Sequence, residues 1–215
     1  MSGQTIVGIG GFPDSGLVEY VLGFARGRRI LVDGTATPAY DGPPRDLPGE
    51  LTHFSFWPWP PENLRQLALS HDAILVCGGN TANMLAVWRV HGFDRILREA
   101  WEAGVVLFGW SAGMICWFEA GVTDSFGPQL DGMRDGLGFL PGSACPHYDG
   151  EERRRPVYTS LVADGFPLGL ALDDAAAVRF DGTNLVEVVA AAPGAHGYRV
   201  EPEGETPLET RALTG

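Results

Sequence analysis

The sequence predicts an α/β protein: one domain spanning residues 1–215, a three-layer sandwich of helices on both faces of a mostly parallel sheet, with antiparallel hairpins toward the C-terminus. Three observations predict it. Short apolar runs alternate with longer amphipathic ones through the first half of the chain, the pattern of βαβ units. Valine-rich runs after residue 175 are split by "DGTN" and "APGAHG", which are hairpin-turn sequences. The chain has 215 residues, 45% of them hydrophobic and 20% charged, enough for one sizeable core and somewhat long for two small ones.

Taken in order, "TIVGI" (5–9) reads as a strand, "GLVEYVLGFA" (16–25) as an amphipathic helix, and "RILVD" (29–33) as a second strand. "PAYDGPPRDLPGE" (38–50) is long and polar, a surface loop or a lid over a site. "LTHFSFW" (51–57) alternates its faces and reads as a strand. A helix follows over "PENLRQLAL" (61–69), where Pro61 suits a first turn because its missing N–H has no partner there anyway. Strand "AILVCG" (73–78), helices over 81–104, strand "VVLFG" (105–109) and a helix after Ser111 complete the first half. From Gly121 to Pro156 glycine and proline punctuate the chain, and this stretch reads as a loop too long to be a mere connector, hence functional. No internal repeat, low-complexity tract or interdomain linker interrupts the chain.

A formal net charge of −12 and a pI near 4.7 argue against nucleic acid and anionic membranes as partners, since binding to phosphates draws on clustered Lys and Arg. The basic clusters "RGRR" (26–29) and "RRR" (153–155) read as solvated faces. Three cysteines cannot all pair within one chain, and the first residues lack a charged start followed by a long apolar segment. Both features point to a cytoplasmic protein. No apolar run reaches the ~18 residues a membrane helix needs. A small-molecule substrate is expected, with monomer and homodimer both open.

Residues 109–113, Gly-Trp-Ser-Ala-Gly, fit the nucleophile elbow G-x-S-x-G, in which small neighbours permit a strained strand-to-helix turn that pushes the hydroxyl out of the sheet. Ligands of open parallel sheets bind beyond such strand ends. Ser111 is therefore a candidate nucleophile. The alternative is an N-cap serine, which does not call for glycine on both sides.

A serine hydroxyl needs a base, and the base an orienting acid. Among five histidines, His53, His71, His91 and His196 fit structural settings. His147, in "CPHYDG" within the suspect loop region, is the candidate base. Asp124 lies between serine and histidine along the chain and is the candidate acid, with Glu119, Asp131 and Asp149 as rivals. An oxyanion would take one N–H from Ala112, directly after the serine, and a second from the Gly78–Gly79 turn, where no side chain obstructs the backbone. "GIGGFP" fails as a dinucleotide fingerprint because Pro13 stands where glycine is required. No metal-ligand spacing is present, so neither metal nor organic cofactor is expected. Cys77 and Cys116 lie in apolar runs and read as core.

"ILVCGGNTANML", "GWSAGMICW" and "PHYDGEERRR", in this order, resemble the peptidase E family of serine peptidases, the aspartyl dipeptidases, whose more distant relatives include cyanophycinase. The resemblance implies a fold like the class I glutamine amidotransferases and hydrolysis of short peptides with a free N-terminus. It implies Ser111 as nucleophile, His147 as base, Asp124 as third member, and Gly79 with Ala112 as oxyanion donors, Gly78 lying beside the substrate. It further implies an arginine pairing with an N-terminal aspartate of the substrate. "GEER" places Arg153 in that role, with Arg154 and Arg155 as neighbours that a shorter loop could bring there instead. The chain departs from the family around the acid, reading "VTDSFGP". An esterase using the same residues and a ligand-binding protein without catalysis are the alternatives to a dipeptidase or aminopeptidase.

Overall fold

The computed structural model describes residues 3–37 and 47–213. Most of the stretch expected as a loop or lid, from 38 to 46, lies outside the described residues. Five parallel strands form the heart of the larger sheet: β1 (Thr5–Ile9), β2 (Arg29–Asp33), β3 (Glu50–Phe54), β4 (Ala73–Val76) and β5 (Val106–Trp110). β1 and β4 are buried at every residue, which is why they read as continuous apolar runs and not as alternating ones. α1 (Ser15–Leu22) covers one face, its first turn capped by Asp14 Oδ1 accepting from the Leu17 N–H at 2.8 Å. The helices of the other face are α2 (Leu64–Leu69), α3 (Thr81–His91), α4 (Phe93–Glu102) and the short α5 (Ala112–Ile115). The helices expected over 81–104 meet at Gly92, whose left-handed backbone (φ 70°) ends α3 and starts α4.

Of the two expected hairpins, the one at "DGTN" is present, whereas at "APGAHG" the chain crosses from one sheet into another, and a further hairpin turns at 202–203 instead. β10 (Ala176–Asp181) and β11 (Asn184–Ala190) pair antiparallel, and β10 also lies antiparallel to β1. With β14 (Thr210–Ala212) they complete the order β14-β11-β10-β1-β5-β4-β2-β3. β12 (Gly197–Glu201) and β13 (Gly204–Pro207) form the second hairpin.

The region 121–156 differs from its reading as loop. The helix after Ser111 lasts four residues. The chain then turns into β6 (Phe118–Thr123), β7 (Asp131–Met133) and β8 (Leu140–Cys145), which join β9 (Gly169–Leu172) and the second hairpin in a six-stranded sheet ordered β13-β12-β9-β8-β6-β7. The glycines that made the region look irregular are what its pairing requires. Gly142 has φ 81°, and a side chain on Gly121 would crowd the Ala144 carbonyl of the neighbouring strand.

Alternate residues distribute the core. Val7, Ala177 and Val189 face α1, while Ile6, Val178 and Val188 face a layer built from α2 to α5 and, beyond them, the near face of the second sheet. The far face of that sheet packs Ala120, Val122 and Ala171 on α6 (Arg154–Ala163) through Tyr158 and Val162. The second sheet therefore presses against the first on the side that holds β1 and β10.

At the end of β2, Asp33 is 1% exposed. Its Oδ1 accepts from the Thr35 amide (2.9 Å) and the Thr35 hydroxyl, and its Oδ2 from Trp88 Nε1 at 2.7 Å. Burial nevertheless dominates, pushing the carboxyl up to about 6. A folded-state value above the unfolded ~3.9 means the favourable contribution of Asp33 is complete below pH ~4 and lost as pH rises through about 6. In urea unfolding, the stability difference between wild type and Asp33→Asn should fall by about 2 kcal/mol between pH 4 and pH 7. A pH-independent difference would refute it.

Candidate active site

The strand-to-helix turn after β5 is shaped by backbone contact. Side chains on Gly109 or Gly113 would strike the Val76 carbonyl of β4, so both glycines of G-x-S-x-G answer to packing on the neighbouring strand. Between them Ser111 takes φ 54°, ψ −114°, a conformation that non-glycine residues seldom adopt and that costs on the order of 1–3 kcal/mol. The Ser111 side chain makes no capping hydrogen bond, which rules out the N-cap alternative. Its carbonyl accepts from Met114 and Ile115 at 2.9 and 3.0 Å, starting α5.

His147 lies two residues beyond β8 and also has positive φ, 53°. Two consecutive carbonyls at the end of β1 hold the pair: Ser111 N–H donates to Ile9 O at 3.3 Å and His147 N–H to Gly10 O at 3.2 Å. Strands of different sheets thus deliver serine and histidine to one strand end. His147 Nδ1 bonds Asp174 Oδ1 at 2.6 Å, so Nδ1 carries the proton and Nε2 is left as the acceptor.

Asp174 is the carboxylate that reading the sequence missed. It sits between β9 and β10 in a seat made by two glycines: a Cβ on Gly11 would lie 2.5 Å from its Oδ1, and one on Gly150 would overlap its Oδ2. Its N–H donates to Asp149 Oδ1 and its carbonyl accepts from Gly11 N, both at 2.8 Å. Asp124, expected as the partner of His147, is instead exposed in the turn after β6, where its carbonyl accepts from Gly127 N at 3.3 Å. The rivals are engaged elsewhere too. Glu119 Oε2 accepts from Gly142 N (2.9 Å), Asp131 Oδ1 from Gly132 N (2.7 Å), and Asp149 braces Asp174. The chain order at this site is Ser, His, Asp. The available signal was an acidic pair ending the apolar run "GLAL", since strand ends are where site residues gather.

Gly78 and Gly79 lie against the serine. A Cβ on Gly78 would sit 3.1 Å from Ser111 Cβ and 2.7 Å from Trp110 Nε1. Gly79 has φ 136°, and a side chain there would strike the Ala36 carbonyl. Thr37 Oγ1 donates to Gly78 O at 2.9 Å and Asn80 N–H to Ala36 O at 2.8 Å. Because N–H and C=O of a trans peptide point oppositely, the Gly79 N–H projects away from Thr37. Ala112 is the first residue of α5, so its N–H has no partner within the helix.

The arginines separate. Arg154 is 3% exposed and donates to Val122 O (2.8 Å) and Glu151. Arg155 lies over the rings of Tyr148 and Tyr198 at 4.6 and 4.8 Å. Arg153 is exposed and forks onto Gln129 Oε1 and Pro128 O at 3.1 and 3.2 Å. Of the other histidines, His71 Nδ1 meets Leu67 O at 2.7 Å, His91 stacks on Phe56, and the His196 backbone pairs with Asp173. All three cysteines are buried, and none is in a disulfide. Among the described residues no three His, Cys, Asp or Glu side chains could hold a metal, and no helix is long and apolar enough to cross a membrane.

The family model of peptidase family S51 matches residues 45–188, about two thirds of the chain, and the chain therefore belongs to that family. It is a serine-type peptidase. It is 50% identical over 167 residues, 75% of this chain and 72% of the relative, to a Bacillus subtilis protein described as the uncharacterized peptidase YgaJ. A Shewanella denitrificans peptidase E is 28% identical over 133 residues, 58% of this chain and 57% of its own. The crystal structure of a peptidase from an acI-B1 actinobacterium shares the fold with a TM-score of 0.64 at 16% identity, covering 96% of this chain and 94% of that one.

Gly150→Ala should force the Asp174 carboxylate off His147, because a carboxylate can rotate away more cheaply than a backbone can move. The far-downfield imidazole proton expected in the wild-type NMR spectrum should vanish with Tm nearly unchanged. A retained resonance would show that the seat is not set by Gly150.

Proposed function

We propose that the protein is a serine exopeptidase acting on short peptides with a free N-terminus, with Ser111, His147 and Asp174 as its triad. The observation that carries this reading is the strained Ser111 elbow, anchored beside a histidine whose Nδ1–H is held by a carboxylate. Ser111 Oγ attacks the scissile carbonyl while His147 Nε2 takes its proton and passes it to the leaving amine. Asp174 fixes the tautomer and stabilises the imidazolium that forms. The Gly79 and Ala112 N–H groups hold the oxyanion, and water then releases the acyl group from Ser111. Restriction to dipeptides or N-terminal residues draws support from the likeness to peptidase E.

A preference for N-terminal aspartate rests on Arg153. Arg154 is buried and Arg155 is stacked between two tyrosines, so Arg153 is the guanidinium of the three that is neither buried nor stacked, and its fork suits a carboxylate.

With Asp-Leu, Ala-Leu and Gly-Leu as substrates, Ser111→Ala should abolish turnover and Asp174→Asn should lower kcat at least a hundredfold. Asp124→Asn should stay within about threefold of wild type. Wild type inert toward all three dipeptides would overturn the exopeptidase reading, and an Asp124→Asn loss as deep as that of Asp174→Asn would overturn the triad. Arg153→Ala should erase any advantage of Asp-Leu over Ala-Leu; an undiminished advantage removes Arg153 as the selector.

A further inference from the structure

We infer that Thr37 is a positioning residue: its hydroxyl sets the direction of the Gly79 N–H and so the quality of the oxyanion hole. The inference rests on the Ser111 reading above and goes beyond it. A glycine pair is suited to an oxyanion loop because nothing blocks its backbone, yet the same freedom leaves the peptide plane free to rotate. In this loop the Gly78–Gly79 plane is held from behind. Thr37 Oγ1 donates to the Gly78 carbonyl at 2.9 Å. Turning the plane over would bring that carbonyl to the side where the Gly79 N–H now projects, and would break this bond.

The clamp has its own foundation. Residues 33–37 turn away from the end of β2, and the Asp33 carboxylate holds the turn through the Thr35 amide and hydroxyl while its other oxygen takes Trp88 Nε1 of α3. Asn80, the N-cap of that same helix, donates its N–H to Ala36 O at 2.8 Å. The Cys77 N–H donates to Asp33 O at 2.9 Å. Both ends of the glycine loop are thereby tied to the 33–37 turn, and Thr37 makes the contact to its middle. Thr37 itself is exposed, so the hydroxyl can be removed without opening the core.

The test compares wild type with Thr37→Val, which keeps the shape and loses the donor, and with Thr37→Ser, which restores it. Dipeptide kinetics, thermal unfolding and inhibition by an α-aminoalkylboronic acid (the boronic analogue of alanine with its amine free), whose tetrahedral adduct places an oxygen in the hole, are the readouts. Thr37→Val is expected to lower kcat tenfold or more and to weaken the boronic acid in proportion, with KM and Tm nearly unchanged. Thr37→Ser should recover most of both. Wild-type kcat in Thr37→Val, an equal loss in Thr37→Ser, or a loss confined to KM or Tm would overturn the inference. If wild type itself shows no Ser111-dependent turnover, the exopeptidase reading fails instead, which is a separate result.

Discussion

Two neighbouring carbonyl oxygens, those of Ile9 and Gly10, each accept one N–H: the first from Ser111 and the second from His147. Little else in the molecule would bring these residues together. Ser111 follows a strand of the larger sheet and His147 a strand of the smaller one, with most of thirty-odd intervening residues engaged in other strands and turns. The last turn of β1 acts as the shared mooring. Gly10 can serve because any side chain on it would strike the Asp173 carbonyl, and Gly11 because its N–H reaches Asp174 O while its bare Cα leaves room for the Asp174 carboxylate. Gly10 and Gly11 of "GIGGFP" thus serve the contacts between segments of the chain.

The fold and the serine elbow were legible because both are local. A run of four or five buried apolar residues declares a strand within its own length, and the elbow declares itself by two glycines around a serine whose backbone conformation the neighbouring strand enforces. His147 was legible by elimination among few histidines. Asp174 was not, because nothing beside it in "ALDDAAAV" distinguishes it from Asp173, and its seat is assembled from Gly11 and Gly150 far away in the chain. Asp173, one position earlier, is 3% exposed and takes the His196 N–H. Only the geometry of the turn decides which of the two acids meets the imidazole.

The second sheet escaped notice for a related reason. The glycines that admit the partners of β6, β7 and β8 look in sequence like loop punctuation. The helix expected after Ser111 is cut to four residues because the chain must cross at once into β6, whose Phe118 enters the core between the two sheets. Local propensity supports a longer helix; the demand for a second layer prevails.

The division of labour between sheets carries a mechanical implication. The hydroxyl belongs to one slab of the molecule and the imidazole to the other, while the acid lies on the segment that links β9 of the second to β10 of the first. Sliding of the slabs by a fraction of an ångström would therefore mute the chemistry while leaving each slab intact. Side chains such as Val178 and Leu172, which come from different slabs and share one buried core, become tuning elements for the alignment of the site.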